Sequence, residues 1–168
     1  NVLAEIFKEK VPPIVTVRSS QCYFMVDGLV DASGSGFGST LCVNGRMEYR
    51  IGTWSSSEDK NSSNWREFDN LVCEVEQVSK KGWLDNSQVI LATDNQTVEA
   101  ALYKGNSTSQ KLFELVVRLK LVEMKYGTKL IVTHVSGKRM QLQGTDGVSR
   151  GNLKSGVAVG KQMVDFFP

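Results

Sequence analysis

The chain has 168 residues, 40% of them hydrophobic and 23% charged, and a formal net charge of +2. That length suits one domain able to bury its own core, with the composition of an ordinary soluble globular protein. No apolar stretch approaches the ~18 residues of a membrane span, and the opening NVLAEIFKEK is no signal peptide. A start at Asn1 fits a piece of a larger polypeptide.

The charge is unevenly spread. Residues 1–100 hold nine Lys/Arg against fourteen Asp/Glu, whereas residues 101–168 hold eleven against four. An acidic half beside a basic half suits a site that holds cations next to a surface that holds phosphates. Two solvated faces of opposite sign account for it equally well. The three cysteines, Cys22, Cys42 and Cys73, lack metal-ligand spacing and read as buried reduced thiols of an intracellular protein (cytoplasm or nucleus).

Residues 1–20, with Pro12-Pro13, read as an extension or linker, and 21–168 as the domain. Cys22 to Asp31 has a strand pattern. FGSTLCV and RMEYRIGTW read as two more strands joined at Asn44-Gly45, a strong hairpin signal. Asn64 and Glu67 then have capping-box spacing. Trp65, Phe68, Leu71, Val72, Val75 and Val78 form a helical stripe about 140° wide, with Glu67 just outside its edge. SQVILATD reads as a short central strand, NQTVEAALYK as a short helix ending at Gly105, and Ser107 to Tyr126 as a longer helix capped by Gly127. KLIVTHV is the fifth strand. SGKRMQLQG reads as a loop, with a final helix from Thr145-Asp146. The order βββαβααβα predicts an α/β fold of mixed strand direction, whose fourth strand can lie parallel to the first through a right-handed crossover.

Four acids stand at element ends: Asp31 after strand one, Glu67 in the first turn of the first helix, Asp94 after strand four, and Asp146 before the last helix. If strands one and four are parallel neighbours, their C-terminal ends share one edge and Asp31 and Asp94 stand side by side. Two carboxylates that close stay ionised cheaply only around a cation. Oxygen ligands without Cys or His select a hard ion, Mg²⁺ or Mn²⁺. Each acid also has a plain structural role to offer. Asp31 suits a turn, Asp94 a helix cap, Glu67 a capping box, and Asp146 a helix start. Asp27 is the rival of Asp31, but lies about 13 Å back along the strand. The glycine-rich turn after Asp31 favours the latter.

VDASGSGFGSTL, SSNWREF, LATDNQTVEAAL, HVSG and GTDGVSRG, in this order and spacing, resemble the ribonuclease H domains of reverse-transcribing elements. Above all they resemble those of retrotransposons that encode a tyrosine recombinase. The resemblance covers roughly residues 22–151. It implies the ribonuclease H fold, a five-stranded mixed sheet in the order 3-2-1-4-5 flanked by helices. It also implies a catalytic set of Asp31, Glu67, Asp94 and Asp146 binding two Mg²⁺ or Mn²⁺ ions. The family cleaves the RNA strand of RNA/DNA hybrids and is joined in retroelements to a reverse transcriptase in the same polypeptide.

Telling RNA from DNA requires reading 2′-hydroxyls in the shallow minor groove. Ser33, Gly34, Ser35 and Asn95 are the expected contacts, though Asn95 serves equally as a helix-start residue. Lys138, Arg139 and Arg150 flank Asp146 and are expected to hold phosphates. Two departures from the pattern stand out. SGKRMQLQG lacks the histidine that many cellular relatives carry before the last acid. His134, at the end of strand five where retroelement versions often have one, takes a structural or substrate-facing place. The second departure is KGNSTS, which is too short for the basic protrusion of some relatives. The competing readings are another nuclease of the superfamily, of integrase or resolvase type, and an inactive nucleic-acid-binding module.

Overall fold

The computed structural model describes residues 8, 25–32, 36–43, 46–55, 61–143, 147–148, 150–152 and 154. The expected linker 1–20 apart from Lys8, together with Cys22, Ser33, Gly34, Ser35 and Asp146, lies outside the described residues, as does most of the expected final helix.

Three strands open the fold: β1 (Met25–Ala32), β2 (Gly36–Val43) and β3 (Arg46–Thr53). They pair antiparallel in sequence, with Val43 opposite Arg46 closing the hairpin. Helix α1 (Ser63–Lys80) follows, then β4 (Gln88–Thr93), α2 (Gln96–Lys104), α3 (Gln110–Tyr126), β5 (Lys129–His134) and α4 (Gly137–Gln143). The strands form one sheet in the order β3-β2-β1-β4-β5, in which β4 runs parallel to both β1 and β5. Among the described residues no helix is long and apolar enough to cross a membrane.

The core lies between the sheet and α1, with α3 packed on α1. Phe68, Leu71, Val72, Val75 and Val78 of α1 are all buried. They meet Leu41 of β2, Val89 and Leu91 of β4, and Leu112, Leu115, Val116, Leu119 and Val122 of α3. The helical stripes read from the sequence are therefore the inner faces. Burying a side chain such as Phe68 contributes about 1.5–3 kcal/mol.

Several boundaries differ from the sequence reading, each for a local reason. The N-cap of α1 is Ser62, whose Oγ accepts from the Trp65 N–H at 3.3 Å, so Asn64 and Glu67 form no capping box. Glu67 consequently lies in the second turn, not the first. The N-cap of α2 is Asn95, not Asp94. Helix α3 begins at Gln110 because Asn106 and Ser107 bond nearby backbone N–H groups and hold a turn. SGKRMQLQG is a helix, not a loop, over Gly137–Gln143. Lys, Arg, Met, Gln and Leu all have high helix propensity, and no breaker interrupts them. Cys42 and Cys73 are free, but half-buried rather than buried.

Candidate active site

Asp31 is the seventh residue of β1 and pairs across β2 with Gly38. On its other side, the parallel ladder runs as far as Leu29 opposite Ala92. Two residues further along each chain stand Asp31 and Asp94. The β4–β5 ladder reaches Thr93 opposite His134, and the Val135 N–H donates to the Thr93 carbonyl at 2.9 Å. One sheet edge thus carries Asp31, Asp94 and His134 on three adjacent strands.

Helix α1 brings Glu67 to the same edge. Asn64, Glu67 and Asn70 recur every three residues, about 60° apart around the helix, with Glu67 in the middle. Asn64 Oδ1 accepts from Asn95 Nδ2 at 2.9 Å, next to Asp94. Asn70 Nδ2 donates to the carbonyl of Gly38 at 2.9 Å, opposite Asp31. Glu67 is therefore bracketed by two tethers, one beside each of the other acids. Its Oε2 is sealed from solvent, although the residue as a whole is half-buried. With the capping box gone, no helix-start role accounts for this carboxylate.

Asp94 is half-buried, between the end of β4 and the cap of α2. Gly137, first residue of α4, lies so close that an added Cβ would stand 3.4 Å from Asp94 Oδ2. That contact brings the start of α4, with Lys138 and Arg139, beside the acid. Lys138 is exposed and Arg139 half-buried, and Arg150 is exposed in the turn after Asp146. His134 is half-buried, and its backbone N–H donates to Glu99 Oε1 at 2.8 Å.

Asn95 is occupied within the protein. Its Oδ1 accepts from the N–H groups of Thr97 and Val98 at 2.9 and 3.2 Å, and its Nδ2 donates to Asn64. It is the N-cap of α2. Asn64, Asn70 and Gly137 also shape this edge. The sequence marks Asn64 only as a capping residue, whereas it ties α1 to Asn95. The other two carry no local signal, because their partners lie far along the chain.

Among the described residues no three acidic, histidine or cysteine side chains gather to hold a metal ion; Asp146 and the side chain of Asp31 fall outside them. The donor set nevertheless fits a hard divalent ion. The four acids marked in the sequence offer carboxylate oxygens, the donors that such an ion takes.

No family model matches the chain, and no curated protein matches it. Among solved structures it is similar to ribonuclease H1 of the halophilic archaeon Halobacterium salinarum, with 19% identity and a TM-score of 0.60 over 77% of this chain and 98% of that one. It is also similar to LC11 ribonuclease H1, isolated from compost and solved with an RNA/DNA hybrid. That match has 15% identity and a TM-score of 0.58, over 76% and 94% of the two chains. A foamy viral protease-reverse transcriptase in complex with RNA/DNA hybrid matches at 12% identity and a TM-score of 0.51, over 84% of this chain and 22% of that one. At these identities the likeness is one of fold: the chain has the ribonuclease H-like fold.

Proposed function

We propose that the chain is an endoribonuclease that cleaves the RNA strand of RNA/DNA hybrids, the ribonuclease H domain (residues 21–168) of a retroelement polyprotein that also carries a reverse transcriptase. The observation that carries this reading is the convergence of backbone positions. Asp31 and Asp94 end parallel neighbouring strands in one register, and Glu67 is tethered between them through Asn64 and Asn70.

In this reading Asp31, Glu67, Asp94 and Asp146 hold two Mg²⁺ or Mn²⁺ ions. Bound there, the ions supply an activated water and neutralise charge developing on the scissile phosphate. The carboxylates leave coordination positions open for water and phosphate oxygens. Lys138, Arg139 and Arg150 draw the phosphate backbone toward the same edge. Ser33, Gly34 and Ser35, which follow strand one in the sequence, are assigned the minor-groove contacts that tell RNA from DNA. His134 stands at the edge as a substrate-facing residue, and Asn95 keeps the adjoining helix start in place.

Incubating labelled RNA/DNA hybrid, double-stranded DNA and double-stranded RNA with the protein and Mg²⁺ or Mn²⁺ tests the proposal. Cutting of the hybrid alone is expected. Asp31→Asn and Asp94→Asn should each lose more than the ~10–100-fold typical of removing a metal ligand's supporting partner, with folding retained. Cleavage by Asp31→Asn at the wild-type rate would overturn the assignment. Cutting of double-stranded DNA would point to an integrase- or resolvase-type nuclease, and binding without cutting to an inactive module.

A further inference from the structure

The contact of α1 with β2 and β3 includes buried polar groups beside the apolar stripe. Ser39 and Asn70 are fully buried and Glu74 nearly so. Ser39 and Arg50 are direct cross-strand partners, and their contacts on α1, Glu74 and Asn70, are one helical turn apart. Ser39 Oγ donates to Glu74 Oε2 at 2.8 Å. Arg50 Nη1 donates to Asn70 Oδ1 and to the Asn70 carbonyl. Asn70 then donates to the carbonyl of Gly38, the residue opposite Asp31. The Arg50 guanidinium rests 4.2 Å from the Phe37 ring centroid, and Phe37 in turn packs against Trp54.

Burying polar groups is unfavourable unless every one is satisfied, and apolar packing of the same shape often stabilises as well or better. What a satisfied network adds is a single defined arrangement. An apolar helix face tolerates a small slide along a sheet, whereas a hydrogen bond to one particular carbonyl does not. This bond lies one turn from Glu67, on the residue paired with Asp31. Resting on the function proposed above, we infer that Asn70, oriented by Arg50, is a positioning residue. It sets the separation between Glu67 and the Asp31 end of β1, and through it the affinity of the acids for a divalent ion.

The test compares Asn70→Ala, Arg50→Gln and Ser39→Ala with wild type. It measures Mn²⁺ binding to the free protein by calorimetry, the Mg²⁺ concentration for half-maximal hybrid cleavage, KM for hybrid, and Tm. Asn70→Ala and Arg50→Gln should weaken Mn²⁺ binding and raise the Mg²⁺ requirement about 10-fold or more, with KM for hybrid unchanged. Ser39→Ala, which breaks an equally buried bond in the same contact, should lower Tm without moving the metal requirement. Where Asn70→Ala does not fold, the half-buried Arg50 carries the test. Wild-type metal affinity in folded Arg50→Gln would overturn the inference, as would an equal shift in Ser39→Ala. Asp94→Asn separates the two levels. If it is dead while Arg50→Gln behaves as wild type, the inference alone fails. A wild-type protein that neither binds Mn²⁺ nor cuts hybrid overturns both.

Discussion

Asn95 donates from Nδ2 to Asn64 Oδ1 at 2.9 Å, and so joins the residue after Asp94 to the start of the helix that carries Glu67. The same side chain caps α2 through its Oδ1. Replacing it by alanine removes cap and tether together. The expected cost is about 1 kcal/mol, or roughly 3 °C in Tm for a chain of this size, together with slower hybrid cleavage. Unchanged cleavage would show that the tether does not set the position of Glu67.

Gly52 lies opposite Phe37 in the β2–β3 ladder, and a Cβ there would stand 2.3 Å from Phe37 Cζ. Gly52→Ala must therefore displace the ring on which Arg50 rests. Overpacking of this kind destabilises by about 1–3 kcal/mol, readable as a lower urea midpoint. Adding Phe37→Leu should recover much of the loss, because the shorter side chain vacates the space. A double variant no more stable than Gly52→Ala alone would refute the steric explanation.

Cys73 sits beside the Asp69–Arg118–Glu76 cluster that joins α1 to α3. Arg118 Nη1 meets Asp69 Oδ1 at 2.9 Å, and its Nε and Nη2 fork onto Glu76 at 2.9 and 2.8 Å. Burial, then the Asp69 charge, push the Cys73 thiol above its ordinary value of 9.0, against the lowering pull of Arg118. In the unfolded chain the thiol ionises at that ordinary value, while the folded protein retains the proton. The unfolded state thus binds fewer protons, so stability falls as pH rises above about 9. Below that pH both states are protonated, and ionisation of the thiol adds no pH dependence. Urea melts of wild type and Cys73→Ala should diverge only on the alkaline side, wild type losing more. Parallel pH profiles would contradict this.

Lys138 and Arg139 stand at the start of α4 beside Asp94, which the Gly137 contact brings about. If both hold phosphates, Lys138→Ala and Arg139→Ala should each weaken hybrid binding and reduce the slope of log K against log salt by about 1. Fluorescence anisotropy across a salt series reads this directly. A slope equal to wild type in both variants would remove these residues from the phosphate surface.

Much of this architecture was legible in advance because the signals are local. Leu112, Leu115, Val116, Leu119 and Val122 announce a helix face by their spacing, and all five are buried. Gly127 stops that helix with φ 65°, as a C-terminal glycine should. Crossover handedness allows the Asp31 and Asp94 strands to lie parallel, the family resemblance implies that they are neighbours, and the sheet pairs them so. Helix α4 is not legible in the sequence, because Met140 and Leu142 are too few to mark a stripe and Leu142 is exposed. The cap of α1 is ambiguous there, because Ser62 and Asn64 are both good capping residues two positions apart.

The sequence by itself determined the five strands and the three helices with an apolar stripe, and that acids stand at the ends of two of those strands, because periodicity is a property of neighbours. Only the tertiary structure decided how α1 seats on the sheet. Asn70 finds Arg50 twenty positions away and Gly38 thirty-two positions away. Nothing in the local pattern marks such partners, because a hydrogen bond depends on distance in space and not on separation along the chain.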